Sequence, residues 1–353
     1  MPSEKDVRAR MTVPPISSVE ELEDNLSAPT PGLIEAMRRL KGDLLLLGTG
    51  GKVGPCLARC AVRAREASGQ DRRIIGVDAF PDAAVRAHLD ALGVETVQAD
   101  LLAPGAFDAL PDAENVLYMV GRKFGSTGAE WQTWHTNVFL TGLAAQRYQR
   151  SRIVAFSSGN IYPFVPVGSG GALESTAPAP IGEYAMSCLG RERMLDQFAN
   201  EAGARVLHFR LNYAAELRYG VLYDVATKVW NDAVIELTMG HFNAVWQGYV
   251  ANVALQCFEL AESPARALNI TGPETISIRW LATRFGELMD KTPRFEGEER
   301  STALLSNASQ CFKRFGYPDV SLDTLIEWLA YWVAAGGANL GKPTHYETRD
   351  GKF

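Results

Sequence analysis

The chain is poor in several things, and each shortage removes a class of protein. No apolar run approaches the roughly 20 residues a helix needs to cross a bilayer, so a membrane-spanning helix is not expected. The opening MPSEKDVRAR has no apolar core of the kind a secretory signal carries, and a cytoplasmic location is expected. Positive charge is in deficit, with 35 Lys and Arg against 41 Asp and Glu and no sustained basic run. A net charge of −6 argues against nucleic acid or an anionic membrane surface as the main partner. Cysteine is scarce and odd in number. Cys56, Cys60, Cys188, Cys257 and Cys311 stand at scattered spacings, which suits a reducing compartment better than a disulfide framework. None of His88, His135, His208, His241 and His345 has metal-ligand spacing to another His, Cys or acid on one helix face, so no metal site is expected. Internal repeats and low-complexity segments are also missing.

What is present is enough for a large core: 353 residues, 46% of them hydrophobic. The chain is organised around residues 44–54, LLLLGTGGKVG. Four consecutive leucines predict a strand buried on both faces. A glycine turn follows, with Gly48, Gly51 and Gly54 spaced GxxGxxG, and then a helix over 55–65 with Pro55 in its first turn. Strand, glycine turn and helix place a pyrophosphate on free backbone N–H groups at the positive end of the helix dipole. A second strand is predicted over 73–78, RIIGVD, ending in Asp78. A carboxylate there accepts hydrogen bonds from ribose hydroxyls, which predicts a dinucleotide cofactor.

In front of this lies an extension, 1–42, with two predicted helices over 18–26 and 31–40; Ser18 and Glu21 have capping-box spacing. Beyond it strands and helices alternate, which predicts a doubly wound parallel sheet of Rossmann type. Helices are expected over 82–92 and 131–148, and strands over 94–98, 115–120, 152–157 and 205–211. Asp78, Asp100, Gly121 and Ser158 each close a strand, where open parallel sheets bind ligands. The expected organisation is a Rossmann domain over 43–212, a smaller α/β substrate lobe over 213–336 and a loosely held polar tail over 337–353.

With these residues in view, the chain resembles the extended short-chain dehydrogenase/reductases, the NAD-dependent epimerase/dehydratase family, over roughly 43–333. Gly48, Gly51 and Gly54 match the family's glycine loop, Asp78 its ribose-binding acid, and Asp100-Leu101 the pair beside the adenine. Asn137 matches the NVxGT helix. FSSGNIY matches the SSxxVY segment and marks Ser158, and YAMSC stands where the family has YxxxK, which marks Tyr184. The resemblance implies a cofactor site of Gly48, Gly51, Lys52, Val53, Gly54, Asp78, Asp100, Leu101, Val120, Gly121 and Lys123. It implies catalytic positions at Ser158, Tyr184 and Cys188. It implies NAD, with NADP as the alternative because Lys52 could offset the repulsion from Asp78. It further implies hydride transfer on a sugar, nucleotide sugar or similar polyol, and a homodimer formed through the 131–148 helix and the helix following Tyr184.

The main departure is Cys188, which replaces the YxxxK lysine. Tyr184 and Cys188 are four apart and share a helix face. A free tyrosine has a pKa near 10, so about one in a thousand is ionised at pH 7, and a nearby ammonium favours the tyrosinate. A thiol does not. Arg191, Lys123 and Arg122 are the cations that could substitute. Two further departures lie in the second half. RLNYAAE over 210–216 departs from RxxNVYG, and Asn252 replaces an acid in the family's DDVA. The alternative function is therefore an NAD(P)-binding protein without redox turnover, a sensor or an assembly subunit.

Overall fold

The structure, a computed structural model, describes residues 3–352 apart from 124, 126 and 343. Its centre is a sheet of seven strands: β1 (Leu44–Leu47), β2 (Ile74–Asp78), β3 (Glu95–Gln98), β4 (Asn115–Tyr118), β5 (Arg152–Ser158), β6 (Arg205–Leu211) and β7 (Arg266–Ile270). They stand in the order β7-β6-β5-β4-β1-β2-β3, and every neighbouring pair is parallel. The four leucines of β1 are fully buried. Leu44 and Leu46 enter the core on one face of the sheet, Leu45 and Leu47 the core on the other. That is why the run is continuous rather than alternating: a central parallel strand has no solvent side. The order in which successive strands are added reverses between β1 and β4, and this opens a crevice beyond the carboxyl ends of the strands.

The helix after β1 runs Gly54–Ser68 and ends at Gly69, which is left-handed at φ 66°. The expected 131–148 helix is broken by a wide turn. Glu130–Trp134 and Leu140–Arg147 are α-helical, and His135–Phe139 between them is a π-helix. Asn137 sits in that turn. Its carbonyl accepts from Thr141 Oγ1 at 2.8 Å and from Arg191 Nε at 3.3 Å. Such widened turns recur where a helix must offer backbone groups to something beside it.

A second core gathers the helices Val221–Trp230, Ile278–Met289 and Leu322–Ala334. Val7, Ile16, Leu22 and Leu26 from the N-terminal extension are buried in the same core. Glu327 anchors the extension there, accepting from Thr12 N at 2.7 Å, Thr12 Oγ1 at 3.0 Å and Val13 N at 3.1 Å. The tail beyond residue 336 is not the loose arm its composition suggests. Tyr346 is 2% exposed within this core, and Trp332 Nε1 donates to Ala338 O at 2.9 Å. No helix among the described residues is long and apolar enough to cross a membrane.

Candidate active site

The glycine corner is shaped by backbone contacts. Gly48 has φ 89°, and a Cβ there would lie 2.9 Å from Val120 N. The turn therefore passes directly against the end of β4, at a conformation L side chains rarely adopt. Gly54 opens the helix so close to the turn that a Cβ would lie 2.1 Å from Thr49 O. Asp78, at the end of β2, accepts from Gly50 N at 3.0 Å and from Phe80 N at 3.0 Å. Gly48, Gly51, Asp78, Asp100, Leu101, Val120 and Gly121 line one groove of about 220 Å³. These seven were marked from the sequence for the cofactor, and the topology brings them together.

A second cavity of about 260 Å³ continues past Gly121 towards the second core. It holds the three residues matched to catalytic positions, Ser158, Tyr184 and Cys188, together with Lys52, Val53 and Lys123. Ser158 ends β5, and its Oγ accepts from Asn160 N at 3.1 Å and Asn160 Nδ2 at 2.9 Å. Tyr184 lies in the first turn of the helix Gly182–Ala202, with Cys188 one turn on. The Tyr184 side chain lines this cavity together with Cys188 and Ser158. Burial and then the Cys188 sulfur push its pKa well above the ordinary value, while Arg191 pulls it down. Cys188 is 1% exposed, and burial raises its pKa as well. Both groups are neutral at pH 7.

The two lysines take unequal places. Lys123 Nζ donates to Thr344 O at 3.3 Å and stands 5.9 Å from the centre of the Tyr184 ring. Burial lowers its pKa to about 8. Lys52 comes from the glycine turn, but its side chain crosses to the other lobe. Its Nζ donates to Ala214 O at 3.1 Å and lies 4.0 Å over the Tyr219 ring. Burial lowers its pKa to about 8 too.

Of the other cations, Arg122 turns away and donates to Gly125 O at 3.0 Å. Arg191 is 5% exposed and clamps three segments together. It donates to Phe156 O at 2.6 Å, Val120 O at 2.7 Å and Asn137 Oδ1 at 3.0 Å. Its guanidinium therefore joins the ends of β4 and β5 beneath Tyr184. Asn160, Tyr213, Tyr219 and Thr344 also line the cavity and were not marked beforehand. Asn160 lies within FSSGNIY and was findable there. Thr344 comes from the tail and carried no signal.

Behind Ser158 lies a buried ion pair. Arg210 donates to Glu192 at 2.9 and 2.7 Å and to the Tyr162 hydroxyl at 2.7 Å, while Ser157 Oγ donates to Glu192 at 2.6 Å. Burial opposes ionisation of Glu192, but His208, Arg210 and Ser157 outweigh it and hold the carboxyl below its usual value. The pair ties β5 and β6 to the helix bearing Tyr184. Arg210→Ala leaves the carboxylate buried without its partner and is expected to destabilise the protein by about 3–5 kcal/mol, measured by urea unfolding.

The parallel sheet of seven, with the glycine corner at its strand ends, makes this a Rossmann-type α/β fold. Solved structures share it. The UDP-glucuronic acid 4-epimerase of Bacillus cereus, in complex with NAD, matches with a TM-score of 0.68 at 16% identity, over 82% of this chain and 96% of that one. The UDP-glucose 4-epimerase of Thermotoga maritima, with UDP-glucose, matches at 0.66 and 16%, over 82% and 98%. MoeE5, in complex with UDP-glucose and NAD, matches at 0.66 and 18%, over 83% and 99%. No protein-family model and no curated protein matches the sequence.

Proposed function

We propose that the protein binds NAD along the crevice and moves hydride to and from a carbon of a sugar or sugar-like polyol, as an epimerase/dehydratase-type enzyme. The observation that carries this is that Tyr184 and Ser158 line one cavity at the inner end of a groove made by the glycine corner, Asp78 and Asp100. The groove fits a dinucleotide: the positions nearest neighbouring backbone, Gly48 and Gly54, have no room for a Cβ. The helix that begins at Gly54 presents free N–H groups to phosphates, and Asp78 presents a carboxylate to ribose. NAD bound there supplies the hydride acceptor and, when reduced, the donor.

The chain's own residues handle the proton. Ser158 holds the substrate oxygen, and Tyr184, protonated at rest, gives its proton to it; to take a proton in the reverse direction Tyr184 must first ionise, which Arg191 favours. Cys188 offers no charge for this, so the positive field comes from elsewhere. Arg191 draws the Tyr184 pKa down from below, and the Lys123 ammonium faces the ring from the loop after β4. The sequence from 43 to 212 provides the cofactor groove, and 213–336 provides Tyr213, Ala214 and Tyr219 to the far wall.

The preference for NAD over NADP rests on Asp78. Asp78→Ala is expected to weaken NADH binding about tenfold, or 1.4 kcal/mol, and to narrow the gap to NADPH, read from nicotinamide fluorescence titrations. Charge repulsion is the reason, since the extra phosphate of NADPH would meet this carboxylate. A homodimer is proposed through the helices that expose Trp131, Phe139 and Met186, which sedimentation tests directly. The five buried free cysteines suit a reducing, cytoplasmic setting.

One observation favours the second reading, binding without turnover. Tyr184 and its thiol neighbour are both held neutral, and nothing in the position of Cys188 replaces a lysine. A screen of polyols against the NAD-loaded protein, followed by near-ultraviolet absorbance, separates the two. Reduction of the nicotinamide supports the enzyme; its absence with every polyol overturns it.

A further inference from the structure

The tail runs beside the inner cavity, with Thr344 in its wall, and is held at four points. Thr344 N donates to Asp224 Oδ2 at 2.9 Å, and its carbonyl accepts from Lys123. Tyr346 is buried in the second core. Arg349 donates to Thr302 O and Oγ1, both at 2.8 Å, and its guanidinium lies 4.1 Å over the Phe164 ring. Gly351 presses against Gly182, the first residue of the helix bearing Tyr184, so closely that a Cβ on Gly351 would lie 2.3 Å from Ile181 O.

The tail narrows one side of the cleft. Asn160 and Tyr213 belong to the inner cavity and also to a second void on the tail side, where Thr348, Arg349 and Gly351 form the wall. That void measures only about 20 Å³. It has room for roughly one water. The inner cavity measures about 260 Å³. Its described wall holds Lys52, Lys123 and Arg191 and no carboxylate.

We infer that the segment 344–351 fills the outer part of the substrate cleft, so that the enzyme takes a compact anionic polyol, a sugar acid or sugar phosphate, and not a nucleotide sugar. This rests on the hydride-transfer reading of the same site. The tail sets the size limit, and Lys52 and Lys123 set the sign of charge. Lys52 is the specificity determinant reached from the glycine turn, since its Nζ lies against the far wall rather than over the turn itself.

The test is calorimetry on the NAD-loaded full chain with four probes: glucuronate, glucose 6-phosphate, glucose and UDP-glucose. Binding of an acid or phosphate at least about tenfold tighter than glucose is expected, and Lys52→Met is expected to remove that margin. UDP-glucose is expected to give no heat at about 1 mM. Gly351→Val, which cannot keep its contact with Ile181, is expected to bring UDP-glucose binding into range. Wild-type binding of UDP-glucose below that concentration overturns the size limit. Glucose binding as well as the anions overturns the charge assignment. A folded Gly351→Val protein still blind to UDP-glucose overturns the role of the tail. NAD affinity is measured on the same sample, so loss of the underlying reading shows separately as a protein that never loads.

Discussion

Gly54→Ala is expected to remove measurable dinucleotide binding while leaving the sheet intact. The added methyl carbon would lie 2.1 Å from Thr49 O, 2.6 Å from Thr49 C and 2.8 Å from Thr49 Cα. All three are backbone atoms, so no side-chain rotation relieves the clash. Thr49 cannot easily retreat. It is fully buried, its Oγ1 donates to Leu46 O at 2.7 Å, and its N–H points at Val77 O. The turn and the start of the helix must therefore separate, and the N–H groups that face the phosphates move with them. A loss of at least about 100-fold in NADH affinity, roughly 2.7 kcal/mol, is the expected size. Calorimetry measures it, and circular dichroism checks the fold. Gly168→Ala, away from the groove, is the control, because a Cβ there meets nothing within 4 Å. Wild-type affinity in Gly54→Ala would remove the dinucleotide from this corner altogether.

Tyr184→Phe is expected to lower turnover by about 10²–10⁴, the usual worth of a positioned acid or base, with NADH affinity unchanged. The ring stays, so packing stays; only the hydroxyl is lost. Lys123→Met tests the electrostatics around it. The Lys123 pKa is lowered to about 8, so its ammonium is present below that pH and disappears above it. Wild-type turnover should therefore fall as pH rises through about 8. The tyrosine itself stays protonated across this window, because burial holds its pKa high. In Lys123→Met the rate at neutral pH drops towards the wild-type alkaline level. Cys188→Lys, which would restore the family's amine, is expected to give no gain. The thiol is sealed against Ile161, Tyr162 and Ala172, and its field comes from Arg191 and Lys123. An ammonium placed there adds a third cation to a dry site whose neighbouring carboxylate, Glu192, is already committed to Arg210. Full activity in Tyr184→Phe would remove the tyrosine from the mechanism.

The amino-acid sequence by itself determined the parts whose cause is local. LLLL is a central strand because both faces of a parallel sheet are buried. Gly48 and Gly54 are glycines because the backbone around them leaves no space. Asp78, Asp100 and Ser158 follow strands, so the order of elements alone sent them to one edge of the sheet. Tyr184 and Cys188 are one helical turn apart in any fold that keeps the helix.

The tertiary structure alone decided what depends on distant partners. Lys52 belongs to the turn by sequence, yet its ammonium is held by Ala214 and Tyr219 across the cleft. Arg191 is by sequence only a cation near Tyr184, yet three carbonyls and an amide oxygen from two strand ends and the π-turn hold it. The polar, glycine-rich tail reads as loose, yet Tyr346 is buried in the second core and Arg349 is held by Thr302, 47 positions away. A side chain's neighbours along the chain set its backbone. Which charge or wall it meets is set by contacts between remote segments, and no short-range pattern records them.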